Sequence, residues 1–169
     1  MQVSLVISVL GPDKSGLVKS LSETLNRFQG NWTESRMSHL GGMFAGLLLV
    51  SIPSDQVDPL TSALEDLQSD DLQIRIERSD KAQTSTTMLS LDLLGQDRPG
   101  IIQDITEQLA HLNVNIEELE SQIKEASMSG GVLFYAQLKL GLPEGVSPEV
   151  VQDSLESMSD QFMVDINFS

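Results

Sequence analysis

Two short turns in this chain combine residue types that could hold a small anion. Gly11-Pro12-Asp13-Lys14-Ser15-Gly16 is followed by Leu17-Val18, and Gly95-Gln96-Asp97-Arg98-Pro99-Gly100 by Ile101-Ile102. Each lies where an apolar run gives way to an amphipathic one, so a strand hands over to a helix. Gly11 and Gly95 permit a sharp exit from the strand, and Asp13 and Asp97 are placed to cap the helix by accepting its free N–H groups. The remaining N–H groups point outward at the positive end of the helix. Gly16 and Gly100 carry no side chain, so a carboxylate could approach those groups closely. The same residues also make a strand-to-helix turn with a good cap and no ligand, and both readings stand at this point.

Other chemistry finds less support. Gly11 and Gly16 have the spacing of a phosphate-binding loop, but the Lys-Ser pair such a loop needs after its second glycine comes before it, as Lys14-Ser15. His39 and His111 have no second histidine at ligand spacing, and with no cysteine in the chain a thiolate metal site, a disulfide and a cysteine nucleophile are all ruled out. No Gly-x-Ser-x-Gly elbow is present. Glu117-Glu118-Leu119-Glu120 offers paired carboxylates, which on a strand read as a solvated edge rather than an acid/base pair. Trp32 and methionines such as Met37 and Met43 are expected to fill core or interface. No catalytic residue, metal or cofactor is expected.

The elements that position the two turns repeat along the chain. The stretch from Leu10 to Val18 matches Leu94 to Ile102 at an offset of 84 residues, which also carries Leu21 onto Ile105, Leu25 onto Leu109 and Asn31 onto Asn115. Phe44 then meets Phe134 at an offset of 90, so the second copy has gained six residues, placed in the stretch 125–131. Each copy reads as strand, helix, strand, strand, helix, strand. The first strands are Val3 to Leu10 and Met88 to Leu94. In the first helices Leu17, Val18, Leu21, Leu25 and Phe28 mark one face, as Ile101, Ile102, Ile105, Leu109 and Leu112 do in the second copy. Gly30 is expected to stop the first of them.

Asn31 to Leu40 and Met43 to Ile52 form a hairpin around Gly41-Gly42, with Asn115 to Lys124 and Val132 to Leu140 as counterparts. Second helices open at Asp58-Pro59, with Leu60, Leu64 and Leu67 inward, and at Ser147-Pro148, with Val150, Val151, Leu155 and Met158 inward. Last strands run over Leu72 to Ile76 and Met163 to Phe168. This predicts an α+β chain of two tandem ferredoxin-like βαββαβ domains, each a four-stranded antiparallel sheet with two helices on one face. The boundaries are 1–78 and 86–169, with a polar linker over 79–85. The copies could meet through their bare sheet faces or edge strands, within the chain or in a homodimer.

Composition limits the partners. Net charge is −15 over 169 residues, with 5 basic and 10 acidic side chains in residues 1–77 and 3 and 14 in residues 87–169. Nucleic-acid binding depends on clustered lysines and arginines displacing counterions, so direct contact with DNA or RNA is disfavoured. The charge serves solubility or attracts a basic partner. The N-terminus has no basic segment ahead of its apolar run, which Gly11-Pro12-Asp13 cuts short, and with no cysteine the simplest expectation is a soluble cytoplasmic protein with no membrane contact.

Gly95-Gln96-Asp97-Arg98-Pro99-Gly100-Ile101-Ile102, followed by Asn113-Val114-Asn115-Ile116, resembles the signature of ACT domains, which are βαββαβ amino-acid-sensing modules. Ser35-Arg36-Met37, Leu40-Gly41-Gly42-Met43-Phe44-Ala45 and Ser129-Gly130-Gly131 ahead of Phe134 extend the likeness over essentially the whole chain, to the glycine cleavage system transcriptional repressor family. The resemblance implies glycine or a similar small amino acid as ligand, and a separate DNA-binding transcriptional activator as partner. It places the ligand between the first-helix turn of one domain and the second strand of a neighbour. Asp97, Arg98, Pro99, Gly100 and Asn115 are then the site residues of the second copy, and Gly11, Asp13, Ser15, Gly16 and Asn31 those of the first. The first copy departs from the signature, with Lys14-Ser15 in place of Arg98-Pro99 and Trp32 in place of Ile116. The alternative is a module of tandem domains that has lost its ligand and only assembles with a partner.

Overall fold

A computed structural model describes residues 1–79, 87–125 and 131–158, and the backbone of 162–167. The first unit contains strand β1 (Gln2–Pro12), helix α1 (Leu17–Arg27), β2 (Asn31–Leu40), β3 (Met43–Pro53), α2 (Val57–Leu67) and β4 (Gln73–Arg78). The second contains β5 (Thr87–Gln96), α3 (Ile101–His111), β6 (Asn115–Glu125), β7 (Val132–Leu142), α4 (Pro148–Glu156) and β8 (Phe162–Asn167). Both sheets are four-stranded and antiparallel, in the orders β2-β3-β1-β4 and β6-β7-β5-β8.

Period-two patterning decides which face of each sheet is covered. Leu5, Ile7 and Val9 of β1 are buried with Leu48, Val50 and Ile52 of β3, against Leu21 and Leu25 of α1 and Leu60 and Leu64 of α2. Leu89, Leu91 and Leu93 play the same part against Leu138, Leu140 and the α3 and α4 residues Ile105, Leu109, Val151 and Leu155. The register repeats as well: Gly11 lies opposite Phe44, and Gly95 opposite Phe134. Each second strand bulges at the equivalent place, between Trp32 and Glu34 and between Ile116 and Glu118.

Several expectations are corrected in detail. Gly30 does not end α1 through a left-handed turn. That role falls to Gln29, with φ of 60°, and in the second copy to Asn113, with φ of 54°. The Gly30 N–H closes the helix onto the Leu25 carbonyl at 2.8 Å, and a Cβ on Gly30 would lie 3.1 Å from that oxygen, so close approach explains the glycine. Helix α2 starts at Val57, ahead of Asp58-Pro59, behind a 3₁₀ turn over Ser54–Gln56. Val18 and Val150, expected to face inward, are among the exposed apolar residues because each lies on the rim of its helix stripe. Ser147 does open α4, its hydroxyl accepting from the Val150 N–H with Pro148 in the first turn. Of the linker expected over 79–85, only Ser79 is described, donating its N–H to the Ser4 carbonyl, and the extra loop residues 126–130 and Phe168 also lie outside the described residues.

Candidate functional site

The two turns are built alike. In both, the strand runs straight through the first glycine, to Pro12 in β1 and Gln96 in β5. Gly11 therefore does not provide a sharp exit. It makes room for the chain behind it, since a Cβ there would come within 2.9 Å of the Asp71 carbonyl oxygen. Gly95 is likewise a ladder residue, between Phe134 and Phe162. The N–H of Asp13 donates to the Gly42 carbonyl at 3.1 Å and that of Asp97 to the Val132 carbonyl at 2.9 Å, which ties each turn to the neighbouring hairpin.

Neither aspartate caps its helix. Gly16 and Gly100 occupy the cap positions themselves, with φ of 91° and 83°, and neither helix start has a side-chain cap. The Leu17 and Ile101 N–H groups turn back to the Lys14 and Arg98 carbonyls, and the first helical bonds are those from Ser20 to Gly16 and from Asp104 to Gly100. The second and third N–H groups of each helix, from Val18 and Lys19 and from Ile102 and Gln103, thus have no partner inside the helix. The space where a side chain on Gly16 or Gly100 would stand is open to 4 Å. An acceptor that reaches this point meets two N–H donors and the positive end of the helix dipole.

The charged groups around the turns differ. In the second copy the Arg98 guanidinium donates to the Asp104 carboxylate one turn into α3, which holds the cation at the helix start. Asp104 was missed in the sequence, where the only trace of the pair is an opposite charge six residues beyond Arg98. In the first copy Lys14 extends away to Asp71, 4.0 Å distant, and Asp13 lies 3.6 Å from His39 on the hairpin. Ser15 and Pro99 are exposed on their turns.

Asn31 and Asn115 are not brought to the turns within their own units. Asn31 lies opposite Ser51, which lies opposite Ser4, and Asn115 reaches Met88 through Gly141. Ser4 and Met88 are each eight residues from the strand end that carries the turn, roughly 26 Å along an extended chain. The Asn115 amide instead donates to Glu117 at 2.6 Å.

A shallow pocket of about 220 Å³ lies elsewhere, on the second sheet, lined by Ser90, Asp92, Glu118, Glu120, Gln137 and Lys139 among others. Tyr135 beside it donates to Asp92 at 3.3 Å, and partial desolvation, with the Asp92 charge and hydrogen bond, pushes its phenol above the usual range. Three carboxylates against one ammonium make this a poor seat for an anion. Among the described residues no group of three or more His, Asp or Glu could hold a metal ion. Nor is any described helix long and apolar enough to cross a membrane.

The ACT domain family model matches residues 4–77 and again 87–169. The chain belongs to the ACT domain family. Its tandem ACT domains are similar, over 99% of this chain and 98% of the other, to an unknown protein from Galdieria sulphuraria, at 31% identity and a TM-score of 0.85. They also share their fold with a protein named as a candidate glycine cleavage system transcriptional repressor, at 16% identity and a TM-score of 0.74, over 100% of this chain and 99% of that one. No curated protein sequence matches the chain.

Proposed function

We propose that this ACT domain protein is a non-catalytic regulator that binds a small amino acid and acts through a protein partner. The observation that carries the reading is the pair of uncapped helix starts at Gly16 and Gly100, each leaving backbone donors and an open approach for a carboxylate. A ligand carboxylate at α3 accepts from the Ile102 and Gln103 N–H groups, with the Arg98 charge close by and no side chain at Gly100 in the way. Asn115 serves the ammonium end through its amide oxygen. Since it lies a sheet length from the turn in its own unit, that asparagine comes from a neighbouring copy. Glycine is the ligand suggested by the likeness to the candidate glycine-cleavage repressor, and transcriptional control of that system is the corresponding role.

An indirect route to DNA follows from charge. With 10 basic against 25 acidic side chains, the protein has little with which to neutralise phosphates, whereas a DNA-binding activator presents a basic surface that a polyanion finds quickly at low salt. Ligand shifts such a complex only by binding its free and partnered forms unequally.

Calorimetric titration with glycine, serine and other amino acids tests the first half of the proposal. Binding of any of them in the millimolar range, lost on Gly100→Asn, supports it, and no heat from any amino acid defeats it. A mobility-shift assay with the protein alone and with a candidate activator tests the second half. Sequence-specific retardation of DNA by this protein alone would overturn the indirect route.

A further inference from the structure

Every second residue of the first sheet faces away from its helices. On the central strands these are Val6, Ser8 and Leu10 of β1 and Ala45, Leu47 and Leu49 of β3, and Leu10 and Leu47 are 44% and 52% exposed. A contiguous apolar patch of this kind marks a contact surface. The edge strands frame it with charge. Glu34 of β2 and Glu77 of β4 stand at the two ends of the row that holds Leu49 and Val6, and Arg36 and Arg75 at the ends of the next row, which holds Leu47 and Ser8. Where this face has Val6, Ser8, Leu47 and Leu49, the second sheet has Ser90, Asp92, Gln137 and Lys139.

We propose that the bare face of the first sheet packs on the same face of a second copy of this chain. The apolar centre needs an apolar counterpart, which the polar face of the second sheet cannot supply. Charge then fixes the register. A two-fold axis lying between the sheets, perpendicular to the strands and midway between the two charged rows, sets Leu47 over Leu49 of the other copy. It also sets Glu34 over Arg36 and Glu77 over Arg75, each pair made twice. Arg36 already reaches Glu34 of its own strand at 2.9 Å, and a guanidinium fork can bridge two carboxylates. An axis along the strands would instead keep each row over itself, with Glu34 over Glu77 and Arg36 over Arg75. Moving the crosswise axis by half a row makes Glu34 or Arg36 face itself. Moving it a full row toward the hairpin sets Glu34 over Leu40 and takes the arginines off the carboxylates.

Four strands about 4.8 Å apart and four facing rows about 6.8 Å apart cover roughly 500 Å² a side, about 1,000 Å² in all, which is the lower bound for a specific contact. The face therefore suits a reversible dimer. The pairing does not rest on the amino-acid reading, since it uses neither helix start.

The chain has no cysteine, so one introduced thiol reports on one place. With the sheets about 10 Å apart and facing rows offset by about 7 Å, the two residues at position 8 stand about 12 Å apart between Cα atoms. A bismaleimide of about that reach should join Ser8→Cys into a dimer and leave Ser90→Cys, on the bare face of the second sheet, unlinked. Adding Leu47→Asp to Ser8→Cys should raise the protein concentration needed for half-maximal linking at least about tenfold. Arg75→Glu, an exposed edge-strand change that the fold should tolerate, is expected to raise it as well, and adding Glu77→Arg should bring it back. Ser8→Cys that does not link at high micromolar concentration, or Ser90→Cys that links as readily, overturns the proposal. So does linking that is indifferent to Arg75→Glu, or a double swap as weak as Arg75→Glu alone. None of these readouts involves an amino acid, so failure here and failure of the calorimetric titration are distinguishable.

Discussion

Replacing Gly100 separates the backbone role of the turn from its openness. Its φ of 83° lies in the left-handed region, and a Cβ built there meets nothing within 4 Å. Gly100→Ala therefore costs only the conformational term, about 1–2 kcal/mol for an L-residue held in the left-handed well. In a unit of this size each kcal/mol lowers the melting midpoint by about 4–8 °C. Asparagine tolerates that conformation far better, so Gly100→Asn should melt above Gly100→Ala while placing a polar side chain over the helix start. Valine is the wrong probe, because its β-branch makes the left-handed conformation prohibitive and loss of binding would be confused with unfolding. Thermal or urea melts of the three proteins, followed by titration of Gly100→Asn, form the assay. An alanine variant as stable as the original would refute the conformational argument, and a stable asparagine variant that binds ligand normally would refute the proposed approach to the helix.

Gly11→Ala should be at least as damaging for the opposite reason, since its Cβ would press on the Asp71 backbone oxygen at 2.9 Å, and a urea midpoint indistinguishable from the parent would contradict that close approach. Arg98→Ala removes an ion pair whose side chains are 36% and 40% exposed, so the loss should be no more than about 1 kcal/mol while amino-acid affinity falls, which paired melts and calorimetry can check. The Glu149 carboxyl is held below its ordinary range by a hydrogen bond from its own backbone N–H, with the Ser147 hydroxyl contributing. A depressed folded pKa stabilises above the unfolded value and is lost as pH falls through the folded one. Glu149→Gln should thus be less stable than the parent near neutrality and converge with it in acid, and a gap that persists to low pH would show another cause.

The repeat and the element order were legible because apolar residues recur at helical and strand periods in both copies, and the glycine turns fall where the period changes. What the sequence hid depends on chain geometry rather than residue type. Gly11, Gly16 and Gly30 look alike as letters, yet only Gly16 needs a positive φ, while Gly11 and Gly30 lie close against the carbonyl oxygens of Asp71 and Leu25. Gln29 bears the left-handed turn that the adjacent glycine seemed made for, because the helix closes on Leu25 one residue earlier than its apolar stripe suggests. Asp13 and Asp97 have the right type and spacing for caps. Their N–H groups, however, extend the sheet ladder to Gly42 and Val132, and neither side chain caps the helix that follows. Asn31 and Asn115 were legible as strand openings, but their distance from the turns is a property of the register.

The two copies share the backbone geometry of the helix starts and differ in the charged groups beside them. The N–H to carbonyl distances at the two helix starts agree within 0.1 Å, 3.4 Å in both copies for the turn bond and 2.9 and 3.0 Å for the first helical bond. Backbone donors and dipole are therefore nearly equal in the two copies, and any difference in affinity must come from side chains. At α3 the guanidinium is fixed beside the helix start by Asp104, a planar donor with bonds to spare after one carboxylate is satisfied. At α1 the ammonium of Lys14 is drawn toward Asp71, and Lys19, the basic residue in the first turn, leans on Glu23 at 3.6 Å. A carboxylate arriving at α1 meets the dipole with less fixed positive charge beside it. On the proposed reading the second copy is the stronger site, and the first contributes mainly through the fold it shares.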